Sequence, residues 1–267
     1  MSDTGRERRP IDLTTMNQAA ALPALPVRRP PLTLFGTEPV RAALEFLSHK
    51  LARSPSHAPG DGHPVILFPG LGADATSLAP LRNHCRALGY EAMDWGCGYN
   101  TGPNNDVDQW LGELAQHVSG LLDTCPQSAS LVGWSLGGLY ARELAKLLGR
   151  RVRQVITIGT PFNAELDHTN VGWIYRLLSG SSAQLNPALS RRLRTAPSVP
   201  TTSIYSRTDG VVAWQTCRHD KPGRRVQDVE VKGSHLGMGW NQQVLHVVAD
   251  RLALRPGQWR PYVEGAA

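Results

Sequence analysis

Hydrophobic and polar positions along the chain change period in a regular way. Short apolar runs alternate with longer segments whose apolar residues recur every three or four positions. The runs His63–Pro69, Glu91–Trp95, Ser130–Trp134, Val152–Ile158, Thr201–Ser206 and Val226–Val231 predict strands, several apolar enough to be buried on both faces. Between them, helices are predicted over Ser77–Leu88, over the stretch marked by Val107, Leu111, Leu114, Val118 and Leu122, over Leu136–Leu148, and over Asn241–Leu252. A further helix is predicted from Thr37, with Pro39 in its first turn and Val40, Leu44, Leu47 and Leu51 at helical spacing. Strands separated by helices of this length imply right-handed βαβ units, hence an α/β fold with a mostly parallel, doubly wound sheet.

Two regions break the alternation. Residues 1–36, rich in Arg, Pro and Thr, read as an N-terminal arm before a domain over 37–267. About forty residues separate the strand ending near Gly159 from the one starting at Thr201, too many for a simple connection. That insertion, about 161–199, is expected to form a cap or lid. In it Val171, Ile174, Tyr175 and Leu178 fall on one helical face, and Trp173 and Leu177 widen the apolar stripe, which could roof an acyl pocket or pack onto the core.

The stretch that carries chemistry is Gly133-Trp134-Ser135-Leu136-Gly137, a G-x-S-x-G with a strand before it and an amphipathic helix after it. A serine lifted on a tight strand-to-helix turn has strained backbone angles and needs small neighbours, which Gly133 and Gly137 provide. The turn places Ser135 at a helix N-terminus, where unpaired N–H groups favour an oxyanion. This context resembles the nucleophile elbow of α/β-hydrolases, whose partners follow in the order Ser, acid, His, at later strand ends. His235 directly follows the last predicted strand, whereas His219 lies in a polar loop before it and His246 on the terminal helix. Asp209 follows the strand Thr201–Ser206; Asp220 and Asp228 are farther from that strand end. The resemblance therefore implies Ser135 as nucleophile, His235 as base and Asp209 as the acid that orients it. The N–H groups of Leu136 and of Leu71, in Phe68-Pro69-Gly70-Leu71-Gly72, would form the oxyanion hole.

From about His63 to Pro261 the chain resembles the esterase/lipase branch of that superfamily. It is most similar to an uncharacterised bacterial group sharing Trp95-Gly96-x-Gly98, Asn100-x-Gly102-Pro103, Gly133-Trp134-Ser135-Leu136-Gly137-Gly138 and Ser234-His235-Leu236-Gly237. The elbow alone also resembles that of pimeloyl-carrier-protein methyl ester esterases. Many lipases carry His-Gly where this chain has Pro69-Gly70, and the antiparallel hairpin that opens the full fold is expected to be absent. Trp134, and Tyr99 and Asn100 on a loop at the same sheet edge, are candidates to line the site with the cap residues.

The resemblance implies hydrolysis of a small or lipid-like carboxylic ester through an acyl-enzyme, with no metal and no cofactor. Acyl transfer or thioester cleavage by the same residues, and a near-inactive ligand-binding protein, stay open as alternatives. A nucleophilic Asp at the elbow, as dehalogenases and epoxide hydrolases of this fold use, is absent. The net charge of +6 changes little, because the basic residues are dispersed and no nucleic-acid signature accompanies them; peripheral contact with an anionic membrane stays open. Four scattered cysteines form neither a zinc motif nor a disulfide framework. With no secretory h-region and no apolar stretch long enough to span a bilayer, a cytoplasmic location is expected.

Overall fold

The computed structural model describes residues 27–52, 59–104, 106–163 and 187–264. Its centre is a six-stranded parallel sheet in the order β2-β1-β3-β4-β5-β6. The strands are β1 (Pro64–Phe68), β2 (Glu91–Asp94), β3 (Ala129–Trp134), β4 (Val152–Ile158), β5 (Thr201–Tyr205) and β6 (Val226–Glu230). All five pairings are parallel, as expected for strands joined by helical crossovers. Each strand lies within two residues of its sequence expectation at either end.

The alternation of side chains along β1 shows how the core forms. Ile66 and Phe68 point to one face, where they join Leu111, Leu114 and Val118 of α3 (Val107–Leu121) and Leu139 and Leu144 of α4 (Leu136–Leu148). Val65 and Leu67 point to the other, against Leu81 and Cys85 of α2 (Ala79–Ala87) and Val244 and Val248 of the C-terminal helix, Gln242–Leu252. Both faces are covered, so every residue of β1 is buried, as its unbroken apolar run requires. Asp106 caps α3 by accepting from the N–H groups of Asp108 and Gln109. Asn241 caps the C-terminal helix through the N–H groups of Gln243 and Val244.

The N-terminal helix departs from expectation twice. First, α1 spans Leu32–Leu51, starting five residues before Thr37 and carrying Pro39 in its interior rather than its first turn. Proline removes there the N–H that would bond the carbonyl of Phe35, and one turn earlier the Thr37 hydroxyl donates to the carbonyls of Thr33 and Leu34. Second, the helix is inverted. Val40, Leu44, Leu47 and Leu51 are all more than half exposed, while Glu38 and Ala42 are buried. The face turned inward is chosen by polar bonds rather than by apolar burial. A short helix, α5 (Pro187–Arg194), precedes β5, and the C-terminal helix is α6. Among the described residues no helix is long and apolar enough to cross a membrane. The cap candidates Trp173, Ile174 and Leu177 lie outside the described residues, as does most of the expected arm.

Candidate active site

The strand order reverses between β1 and β3: β2 lies to one side, and β3 to β6 run away on the other. Loops leaving the carboxyl ends of two such strands diverge and leave a crevice, the usual ligand position in open α/β sheets. Here the loop after β1 and the elbow after β3 meet. A Cβ on Gly70 would sit 3.2 Å from Cβ of Ser135 and 3.0 Å from the Trp134 ring.

Ser135 has φ 54° and ψ −122°, and among the described residues it alone combines a side chain with positive φ. A non-glycine residue held there is strained and persists only where its surroundings enforce it. The enforcement is visible. Its N–H donates to the carbonyl of Ile158 at the end of β4 (2.8 Å), and its own carbonyl accepts from the N–H of Gly138 (3.1 Å). Any Cβ on Gly133 would fall 2.4 Å from the backbone of Gly137 and Gly138, so only glycine lets strand and helix approach this closely.

Asp209 and His235 arrive from the ends of β5 and β6. One carboxylate oxygen of Asp209 accepts from the N–H groups of Val211 (2.8 Å) and Val212 (2.6 Å). Its other oxygen is 2.6 Å from Nδ1 of His235, and Nε2 of His235 is 3.2 Å from Oγ of Ser135. All three side chains are buried. With Nδ1 protonated toward the carboxylate, Nε2 presents its lone pair to the serine hydroxyl. Burial works against an imidazolium at His235, yet the charge and hydrogen bond of Asp209, helped by the charge of Glu38, outweigh it and raise the pKa above 6.5.

Two other histidines have carboxylate partners, and they clarify the choice. His63 sits 2.5 Å from Asp61 and 2.7 Å from Oγ of Ser130, repeating the order acid, imidazole, hydroxyl. Ser130, however, lies inside β3, is fully buried and accepts from the Gln154 amide, leaving no room for a substrate. His219 pairs with Asp228 (2.7 Å), but its other nitrogen faces the Arg142 guanidinium at 3.0 Å. For both, burial lowers the pKa below 6.5 despite the adjacent carboxylate, with a nearby arginine charge adding to it. On balance the charged form of both rings is thus disfavoured, unlike that of His235. Among these three histidines, His235 alone combines a raised pKa with a serine on a strained turn.

The remaining candidates separate. The N–H groups of Leu71 and Leu136 belong to the two segments that meet at Gly70 and Ser135, and Leu136 is the first residue of α4, whose N–H has no partner within the helix. Trp134 turns back into the protein: its indole N–H donates to the carbonyl of His235 (3.2 Å), and its ring lies 5.6 Å from the imidazole. It also walls an apolar recess of about 480 Å³ between α1 and Leu236, with Ala43, Phe46 and Trp240. Tyr99 is exposed, near Gly72 of the loop after β1. Asn100, expected to line the site, is fully buried. Its amide donates to the carbonyl of Pro69 (2.8 Å), and its side-chain oxygen accepts from the N–H of Gly102 and the Tyr140 hydroxyl. A buried amide must satisfy these bonds, so Asn100 holds the loop instead of facing a ligand.

Sequence reasoning missed Glu38 and Glu45 of α1. Glu38 accepts from the backbone N–H groups of Gly210, His235 and Leu236, and Glu45 from that of Ser234 and from the Asn241 amide. Their spacing of seven was a legible signal, since it puts both carboxylates on one helix face.

Parallel sheet, strained serine and buried imidazole together define a hydrolase-type α/β protein. Residues 65–263 match the alpha/beta hydrolase family, and the chain belongs to it. The pimeloyl-[acyl-carrier protein] methyl ester esterase of Shewanella woodyi is 27% identical over 137 residues, which are 50% of this chain and 51% of that protein. The chain thus spans about half the length of that relative. Lipase B of Aspergillus fumigatus superposes with a TM-score of 0.56 at 19% identity, over 78% of this chain and 56% of that one. The mature lipase BlEst2 of Bacillus licheniformis gives 0.56 at 16%, over 75% and 96%. At these identities the structural likeness establishes the fold.

Proposed function

We propose that the protein is a carboxylic ester hydrolase working through an acyl-enzyme on Ser135. The hydroxyl oxygen attacks the ester carbonyl while Nε2 of His235 takes its proton, and Asp209 stabilises the imidazolium that results. The tetrahedral oxyanion accepts hydrogen bonds from the N–H groups of Leu71 and Leu136, each contributing about 3 kcal/mol to the transition state. Collapse breaks the bond to the alcohol, which receives the proton from His235. Water then attacks the acyl group by the same route, returning free carboxylic acid and Ser135.

The observation that carries this reading is the unbroken Asp209–His235–Ser135 chain, at 2.6 and 3.2 Å. The relatives named as methyl ester esterases support an ester as substrate. An ester series from acetate to palmitate on purified protein tests it, with product analysis in the presence of an acceptor alcohol. Steady release of free acid supports hydrolysis. Acyl transfer to the alcohol as the main outcome, or a single turnover followed by arrest, contradicts it.

A further inference from the structure

We propose that Glu38, on the N-terminal helix, is a positioning residue for the imidazole of His235, locking the loop of the base to the loop of the acid. The proposal rests on the hydrolase reading above. Glu38 is only 2% exposed and lies 197 residues before His235 in the chain. Its Oε1 accepts from the N–H of Gly210 at 2.7 Å and from that of His235 at 3.0 Å, and its Oε2 from that of Leu236 at 3.0 Å. Gly210 directly follows Asp209. One carboxylate thus holds the residue after the acid and the base itself, and so fixes the separation of the two side chains. Charged acceptors make shorter, stronger bonds to backbone donors than neutral ones. Bonds of this kind, from supports outside the reacting atoms, keep a catalytic geometry within tolerance.

A neutral acceptor could satisfy the same N–H groups, so the charge calls for its own explanation. Among the described residues few charged groups face this loop. Asp209 comes from the β5 end; Glu38 and Glu45 come from α1, with the Arg41 guanidinium 3.5 Å from Glu38. Trp134, from β3, faces the imidazole with an uncharged ring. Asp209 directly, and Glu38 from its place against the backbone of His235, favour the positive charge the ring must carry in each transition state, with Arg41 offsetting part of the effect of Glu38. Glu38 acts through His235, supporting both its position and its protonated form.

The test compares wild type with Glu38→Gln, which keeps the shape and removes the charge. Leu44→Ala, on the exposed face of α1, is the control. Two readouts are taken: the pH profile of p-nitrophenyl ester hydrolysis, and NMR titration of the His235 ring in histidine-labelled protein. Glu38→Gln is expected to melt cooperatively and to lose about 10- to 100-fold in kcat with little change in KM. Its acid limb and its ring titration should both move to lower pH, while Leu44→Ala matches wild type. Wild-type kcat with an unmoved ring titration overturns the proposal, whatever the melting temperature. If Glu38→Gln does not fold, Glu38→Asp decides: it keeps the charge but withdraws it by one methylene, so a lowered kcat supports positioning and a wild-type kcat refutes it. If wild type itself turns over no ester, the hydrolase reading fails, and the ring titration alone judges Glu38.

Discussion

The carboxylate of Asp209 divides its two oxygens between backbone and imidazole. One receives the N–H groups of Val211 and Val212, and the other lies 2.6 Å from Nδ1 of His235. The first pair of bonds aims the second oxygen, so the ring is oriented by a group that cannot itself rotate freely. Asp209→Asn removes the charge and sets an amide donor against one of these donors. A loss of about 10⁴-fold in kcat, with KM little changed, is expected for an ester substrate. Steady-state kinetics at fixed pH check it.

The raised pKa of His235 sets the sign of the pH response. The base must be neutral to accept the serine proton, so activity falls as pH drops through a pKa above 6.5. The acid limb of kcat/KM should therefore lie above 6.5, and an acid limb below that value would count against the coupling to Asp209 and Glu38. Stability runs the other way. A folded-state pKa raised above the unfolded one contributes stability that is present below about 6.5 and is lost as pH rises through the folded value. Denaturant unfolding across this range should show that contribution diminish in wild type and vanish in His235→Gln.

The close approach of α4 to β1 leaves Gly137 no freedom. A Cβ there would lie 2.3 Å from the carbonyl oxygen of Phe68 and 2.5 Å from that of Pro69, both backbone atoms. Gly137→Ala should cost roughly 1–3 kcal/mol of stability and displace the loop that carries Leu71. Urea unfolding and the activity of the folded fraction measure the two effects separately.

His219 provides a contrast with His235. Its ring joins Asp228 to the buried Arg142, whose guanidinium also stacks 3.8 Å over the Phe162 ring. His219→Leu leaves buried polar partners unmatched and should destabilise by about 1–3 kcal/mol. Its folded fraction should keep wild-type kcat. A catalytic loss as large as that of His235→Ala would reassign the base.

Much of the site was readable where local pattern and chemistry coincide. The elbow around Ser135 announces itself through Gly133 and Gly137, because a strained serine and a close helix both demand small neighbours. Asp209 and His235 were legible from their places after β5 and β6, since a parallel sheet brings all strand ends to one edge. The inward face of α1 was not. Val40, Leu44, Leu47 and Leu51 have the spacing of a core-facing stripe, yet the helix is oriented by Glu38 and Glu45, whose partners lie nearly two hundred residues later. The spacing of the two carboxylates shows that they share a helix face, but nothing local says which distant backbone they meet. Asn100 shows a related limit: an amide beside a site reads as a ligand contact, and only the fold reveals its bonds to the Pro69 carbonyl and Tyr140.

The decisive measurement is steady-state turnover of a p-nitrophenyl ester by wild type, Ser135→Ala and Ser130→Ala, each verified as folded. Ser135→Ala should lose at least about 10³-fold in kcat, while Ser130→Ala, which disrupts the buried Asp61–His63–Ser130 chain and its bond from the Gln154 amide, keeps wild-type turnover per folded molecule. Undiminished turnover in Ser135→Ala would contradict the account at its centre.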